Sequence, residues 1–147
     1  MAITTKPDTI ILIDDEPYHV LWMVDYLEEK KFKVIRVAHL NNALDYIESE
    51  IYRALIIDLN IPVIAPYDKA LADRGGSYAR YPGLFLAERA RNRGYRDRQV
   101  VIYSVHRDAD VLAEVSKLGA TFILKGRPQM IKRELDDVLS YDPTAPE

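Results

Sequence analysis

The sequence predicts an α/β sandwich built on a parallel sheet, and three observations predict it. Short aliphatic runs, Ile10-Ile11-Leu12-Ile13, Ala54-Leu55-Ile56-Ile57, Val100-Val101-Ile102-Tyr103 and Phe122-Ile123-Leu124, read as strands buried on both faces. Apolar stripes at helical spacing separate them. The runs also end in polar chemistry: Asp14-Asp15, Asp58, Ser104 and Lys125. Strands alternating with helices stack as a sheet between two helical layers. The expected arrangement is a flavodoxin-like (βα)5 three-layer sandwich with strand order 2-1-3-4-5, the first and third strands side by side at the switch point.

The first strand is expected from about Thr9 to Asp14. Pro17 suits the first turn of the following helix, where its missing N–H costs nothing. Val20, Met23, Val24 and Leu27 mark that helix. Lys33 to Val37 alternates like a strand, and Leu40, Ala43, Leu44, Ile47 and Ile51 form the next helical stripe. Arg53 to Asp58 is the third strand. A further helix opens near Pro82-Gly83, carries Leu84, Ala87 and Ala90 inward, and ends near Gly94. Gln99 to Ser104 is the fourth strand. Val111, Leu112, Val115 and Leu118 mark a helix that stops at Gly119, and Thr121 to Leu124 is the fifth strand. Ile131, Leu135, Val138 and Leu139 form the last helix. A single domain is expected over 1–147, with its core at about 8–140 and a frayed tail at 141–147. No second domain fits, and there is no internal repeat.

One stretch breaks the alternation. Leu59 to Tyr81 has no sustained period and holds Pro62, Pro66, Gly75 and Gly76, so a long loop is expected at about 63–81.

Composition excludes several function classes. The 147 residues suit one compact core, and 48% apolar content marks a folded chain. With a net charge of −3 there is no general attraction to nucleic acid. The absence of cysteine removes disulfides, thiol catalysis and thiolate metal sites. No aliphatic run is long enough to cross a membrane, and Met-Ala-Ile-Thr-Thr-Lys-Pro lacks the apolar stretch of a signal peptide. A cytoplasmic location is the expectation.

In an open parallel sheet, ligands bind beyond the carboxyl ends of the strands. Asp14, Asp15, Asp58, Ser104 and Lys125 therefore converge on one edge. Three carboxylates crowded together repel and need a counter-charge. Magnesium takes oxygen ligands and often binds through one or two carboxylates plus a phosphate. A carboxylate such as Asp58 then serves as nucleophile toward a phosphoryl group and forms an acyl phosphate. That transfer needs mostly positioning and charge neutralisation, from the metal and Lys125, with a hydrogen bond from Ser104.

The set Asp14-Asp15, Asp58, Ser104 and Lys125 resembles the receiver domain of two-component response regulators, over roughly residues 8 to 140. Asp14-Asp15-Glu16 is similar to the family's acidic motif, Pro62 to a family proline after the phosphorylated aspartate, and Leu118-Gly119-Ala120 to the family's Gly-Ala before the last strand. Phe122 occupies the place of the family's switch aromatic. The resemblance implies that Asp58 is the phosphoacceptor, served by a sensor histidine kinase or a histidine phosphotransfer protein. It implies that Asp15 and Asp58 bind Mg2+ (or Mn2+) directly, Asp14 through water, and Asn60 through its backbone carbonyl. Ser104 and Lys125 contact the phosphate. Ser104 and Phe122 carry the switch to the face of the helix after the fourth strand, the fifth strand and the last helix, where a downstream protein target docks. Homodimerisation through the same helices is left open, with no nucleic acid and no membrane bound.

The chain departs from the family's pattern in three places. Gly83 stands 25 residues after Asp58, which implies an insertion of roughly seventeen residues between Pro62 and Tyr81. That insertion reads either as a harmless elaboration, since loop length costs little, or as a lid or docking loop. Tyr67, Tyr78, Tyr81, Arg74 and Arg80 are residue types that anchor interfaces. Val105 follows Ser104 where many receivers have Ala or Gly, and its larger side chain is expected to narrow access to the phosphate. Gly126 follows Lys125 where most receivers have proline, which removes the bias toward a cis bond.

Single residues allow plainer readings. Asp14 or Asp15 alone suits a helix N-cap; Lys125 alone is a solvated charge and Ser104 a turn residue. The constellation, not any one member, supports the site. His19, His39 and His106 lack metal spacing; His106 alone is near enough to Ser104 to line the pocket mouth. Trp22 and Tyr26 suit a core edge, or a patch for docking the phosphodonor. Arg89, Arg91, Arg93, Arg96 and Arg98 read as a solvated helix end suited to the dipole, with no base-reading motif beside them. An aspartyl phosphatase needs a general acid two residues after its nucleophile, where this chain has Asn60. No phosphate-cradling loop follows the first strand, which speaks against a flavodoxin-type cofactor protein. The remaining alternative to a phosphorylated switch is a phosphorylation-independent protein-binding module on the same fold.

Overall fold

The computed structural model describes residues 3–144, with only the backbone at 17–19. His19 therefore lies outside the described side chains. Five parallel strands form one sheet in the order β2-β1-β3-β4-β5, with β1 at Lys6–Ile13, β2 at Lys33–Val37, β3 at Tyr52–Asp58, β4 at Val100–Ser104 and β5 at Thr121–Leu124. The expected order is the observed one. The helices are α1 (Pro17–Glu29), α2 (Leu40–Ser49), α3 (Tyr67–Arg74), α4 (Gly76–Arg80), α5 (Gly83–Arg93), α6 (Ala109–Lys117) and α7 (Pro128–Ser140).

Alternation along the strands sorts the core into two layers. Ile10 and Leu12 face Val20, Met23 and Leu27 of α1 and Ile131, Leu135 and Val138 of α7. Ile11 and Ile13 face the other way, toward α2, α5 and α6. In the paired register Ile11 meets Leu55 and Ile13 meets Ile57, so β1 and β3 end together. Asp14 and Asp58 follow directly and share that edge. The β1 strand starts earlier than expected because Lys6 pairs with Tyr52 across an irregularity in the register. Ile51 is buried but lies beyond α2, in the turn into β3.

The expected irregular loop at 63–81 is instead two short helices, α3 and α4, broken at Gly75 and Gly76, whose φ angles are +72° and +60°. Only Leu71 and Tyr78 are buried within these helices, too few to draw an apolar stripe in sequence. Tertiary contacts supply the stability. Arg74 makes a fork of two 2.8 Å bonds to Glu88 of α5 and lies 3.6 Å over the Tyr78 ring. Tyr67 packs on Phe85 with ring centroids 5.6 Å apart. At the entrance, the Asn41 amide donates to the Ala65 carbonyl at 3.2 Å and its oxygen accepts the Ile64 N–H at 3.2 Å.

Two further expectations change. The tail is held, not frayed, as far as Pro143: Arg53 donates to the Leu139 and Tyr141 carbonyls at 2.9 and 3.3 Å, and Arg96 to the Pro143 carbonyl at 2.7 Å. Residues 145–147 lie outside the described residues. The arginines of 89–98 are also largely engaged, not simply solvated. Arg91 caps the carbonyls of Leu118 and Asp97 at 2.7 and 2.9 Å, Arg89 pairs with Glu48 at 2.7 Å, and Arg98 with Asp137 at 2.7 Å.

Candidate functional site

Two neighbouring strand ends supply the acids. Asp14 and Asp58 are buried while Asp15 is exposed, and one carboxylate oxygen from each lies within 4.8 Å of the others. The chain anchors two of these groups locally: the Glu16 N–H donates to Asp14 Oδ1 at 2.7 Å and the Asn60 N–H to Asp58 Oδ1 at 3.2 Å. Lys125, at the end of β5, brings its Nζ to 3.4 Å from Asp14 Oδ2 and 3.3 Å from Asp58 Oδ2. Asp14, Asp15, Asp58 and Lys125 thus converge as expected.

The electrostatics follow from burial. Desolvation pushes the Asp58 carboxyl above its usual range, and the Asp14 charge adds to that; Lys125 and the Asn60 N–H pull in the other direction. Three carboxylates against one ammonium leave a surplus of negative charge at a cluster of hard oxygen donors. That donor set fits Mg2+, which prefers oxygen ligands and binds through a small number of carboxylates.

Ser104 is fully buried. Its Oγ accepts the His106 N–H at 3.0 Å, and its carbonyl accepts the Lys125 N–H at 2.9 Å, so β4 and β5 hold the lysine's backbone together. Among the described residues, Asp58 is held by Lys125 and Asn60, not by Ser104. Phe122 is half-buried against the layer of α6, beside Ile102 in register. Asn60 is exposed in the turn after β3. Val105 is 60% exposed, so its side chain stands on the surface beside Ser104. His106 is half-buried with its ring 5.0 Å from that of Tyr81, and His39 is exposed just before α2. The bond after Lys125 is trans; the cis peptide among the described residues is Ala65–Pro66. Trp22 and Tyr26 edge the core layer of α1.

Sequence reasoning missed two contributors, Tyr103 and Arg36, and the close contact of a residue it had named, Gly83. Tyr103 pairs with Asp58 across the sheet and lies under the Lys125 ammonium, 5.0 Å from Nζ to ring centroid. Burial pushes its phenol up to about 12, with the Asp14 and Asp58 charges adding to the effect. Its place as the last residue before Ser104 was the available signal. Arg36 lines a depression of about 320 Å³ together with Asp14, Asp15, Val37 and Ala38; the sheet places it there by its register beside Leu12, two residues from Asp14, and the sequence carried no signal for it. Gly83 brings the start of α5 onto the backbone of β3: its N–H donates to the Leu59 carbonyl at 2.9 Å, and a Cβ there would sit 2.4 Å from the Asp58 carbonyl oxygen.

No family model and no curated protein matches this sequence. Solved structures do match. The non-phosphorylated receiver domain of HemR from Leptospira biflexa superposes with a TM-score of 0.72 at 20% identity, over 95% of this chain and 98% of that one. A CheY-like response regulator receiver domain protein from Methanospirillum hungatei gives 0.68 at 17% identity, over 95% of both chains. The BeF3-activated N-terminal receiver domain of RstA from Klebsiella pneumoniae gives 0.67 at 17%, over 90% of this chain and 99% of that one. The chain has the receiver fold. Among its described residues no helix is long and apolar enough to cross a membrane.

Proposed function

We propose that this chain is a receiver that works as a phosphorylation-driven switch in the cytoplasm. Asp58 attacks the phosphorus of a phosphohistidine on a sensor histidine kinase or a histidine phosphotransfer protein. The P–N bond breaks, an acyl phosphate forms on Asp58, and the imidazole leaves with a proton. The observation that carries this reading is the placement of one ammonium within 3.4 Å of two buried carboxylates at the switch point of the sheet. A structural ion pair needs one carboxylate; the surplus acids suit a cation and a transferred anion.

Asp15, Asp58 and the Asn60 carbonyl would hold Mg2+ (or Mn2+), with Asp14 acting through water. The ion, when bound, neutralises phosphoryl charge in the transition state. Lys125 adds a second positive charge beside Asp58, and Ser104 donates a hydrogen bond to the phosphate. Ser104 and Phe122 pass the change to the face of α6, β5 and α7, where a downstream protein target or a second copy docks. The chain is not an enzyme with turnover of its own: Asn60 offers no general acid in the place where aspartyl phosphatases carry one.

The test is intact-mass analysis after incubation with acetyl phosphate and magnesium. One added phosphoryl group is expected in wild type, absent in Asp58→Asn and in chelator. No adduct from either acetyl phosphate or a phosphohistidine donor would favour the phosphorylation-independent binding module instead.

A further inference from the structure

The α3–α4 insertion reaches across to the loop that carries Ser104. Tyr81, at its end, donates from its hydroxyl to Asp108 Oδ2 at 3.2 Å, at the residue before α6. The Tyr81 ring lies against His106, and the His106 N–H donates to Ser104 Oγ at 3.0 Å. Nearly two turns further along α6, the Tyr78 hydroxyl donates to Glu114 at 3.2 Å. Burial pushes the Tyr78 phenol up to about 12, so it keeps its proton and stays a donor. Arg80 adds a 3.6 Å pair with Asp110, but both side chains are more than half exposed and such pairs contribute little. The two hydroxyl–carboxylate bonds and the ring contact are therefore the effective ties.

The geometry points to a built-in restraint on the switch: the insertion holds the Ser104–Asp108 loop where Ser104 is engaged by its own loop instead of by a phosphoryl group on Asp58. The inference rests on the proposed phosphorylation of Asp58 and concerns its regulation. The His106 N–H fixes the torsion at which Ser104 Oγ sits; the hydroxyl proton stays free to donate, and in the proposed switch it reaches a phosphoryl group on Asp58 only when that torsion and the loop change. Ties made in the first arrangement and weakened in the second favour the first by their own free energy. Tyr81 and Tyr78 are thus positioning residues, acting on the site through His106 and α6. The insertion thereby sets the affinity of the site for its phosphoryl group.

Beryllofluoride with Mg2+, a phosphoryl mimic that needs no group transfer, is the probe. Titration of wild type, Tyr81→Phe and Glu114→Ala by calorimetry gives the affinities, with Asp58→Asn as the non-binding control. Tyr81→Phe keeps the ring and removes one tie; Glu114→Ala removes the other from the α6 side without touching the core, and carries the test if the first variant folds poorly. Each is expected to bind beryllofluoride about three- to tenfold more tightly than wild type, the range that loss of one part-buried hydrogen bond of ordinary net strength supports. A purely structural role would lower Tm without tightening binding. Wild-type binding with unchanged or weaker binding in both variants overturns the restraint alone. Failure of wild type to bind overturns the proposed function as well.

Discussion

At Asp58 two demands conflict. A buried carboxylate is costly when ionised, yet the proposed role as phosphoacceptor needs it ionised to attack. Desolvation holds its folded pKa above the ordinary carboxylate value despite Lys125. A carboxyl with a raised folded pKa costs no stability below the unfolded value, and stability falls as pH rises through the folded one. At neutral pH the ionised group therefore destabilises the fold. Asp58→Asn is expected to melt a few degrees above wild type at pH 7 in chelator, with the gap closing as pH drops below about 4. Magnesium should raise the wild-type Tm and move that of the variant less. Thermal melts across pH, with and without the ion, check this; a variant that melts below wild type at pH 7 would contradict it.

The same residue scale shows why the site was legible. Asp14, Asp15, Asp58 and Lys125 are polar groups at the ends of runs that must be buried, so their position along the chain already places them on one edge. Ser104 was legible as a member of that edge, but not in its actual engagement. Its bond to the His106 N–H depends on how the loop after β4 turns, which no periodicity reports. Tyr103 was hidden for the opposite reason: it read as one more apolar residue of a strand.

Among the elements, the α5 start packs tightly on the β3 end beside the site. A Cβ on Gly83 would meet the Asp58 carbonyl oxygen at 2.4 Å and the Leu59 Cα at 2.7 Å. Both are main-chain atoms, so no side chain can swing aside. Gly83→Ala is expected to cost about 2 kcal/mol or more and to weaken magnesium binding, because the segment pushed aside carries Asp58. Urea denaturation together with a magnesium titration measures both; an unchanged midpoint would show that α5 moves freely against β3. The insertion teaches the complementary lesson. Its helices hold eight and five residues, each with one buried side chain, so local sequence carries almost no helical signal. Their order comes from Arg74 on Glu88 and from tyrosines that reach α6.

Across the whole molecule, Arg91 joins parts far apart in sequence. Its guanidinium donates to carbonyls of Tyr95, Asp97, Leu118 and Gly119, fastening the end of α5 to the turn between α6 and β5. Burial holds its pKa below the usual arginine value, with Asp97 opposing, and the group remains charged at any ordinary pH. Arg91→Ala leaves the part-buried Leu118 and Tyr95 carbonyls, and the exposed ones of Asp97 and Gly119, without this donor and is expected to cost about 2–3 kcal/mol. Arg91→Lys should recover only part of this, because a point charge cannot span the same fork. Chemical denaturation of both variants decides it, and equal stability of Lys and Arg would contradict the capping role.

By itself the sequence determined the layers, the strand order and the edge on which the acids gather. Each of these follows from burial pattern and chain direction, which are local and periodic. Only the tertiary structure decided that 63–81 folds into two helices, that the arginines of 89–98 serve as carbonyl caps and ion pairs, and that Ser104 is held through His106 beside Tyr81. Those outcomes are set by contacts between residues distant in the chain. Their free energy comes from geometry that exists only once the sheet has brought its loops together.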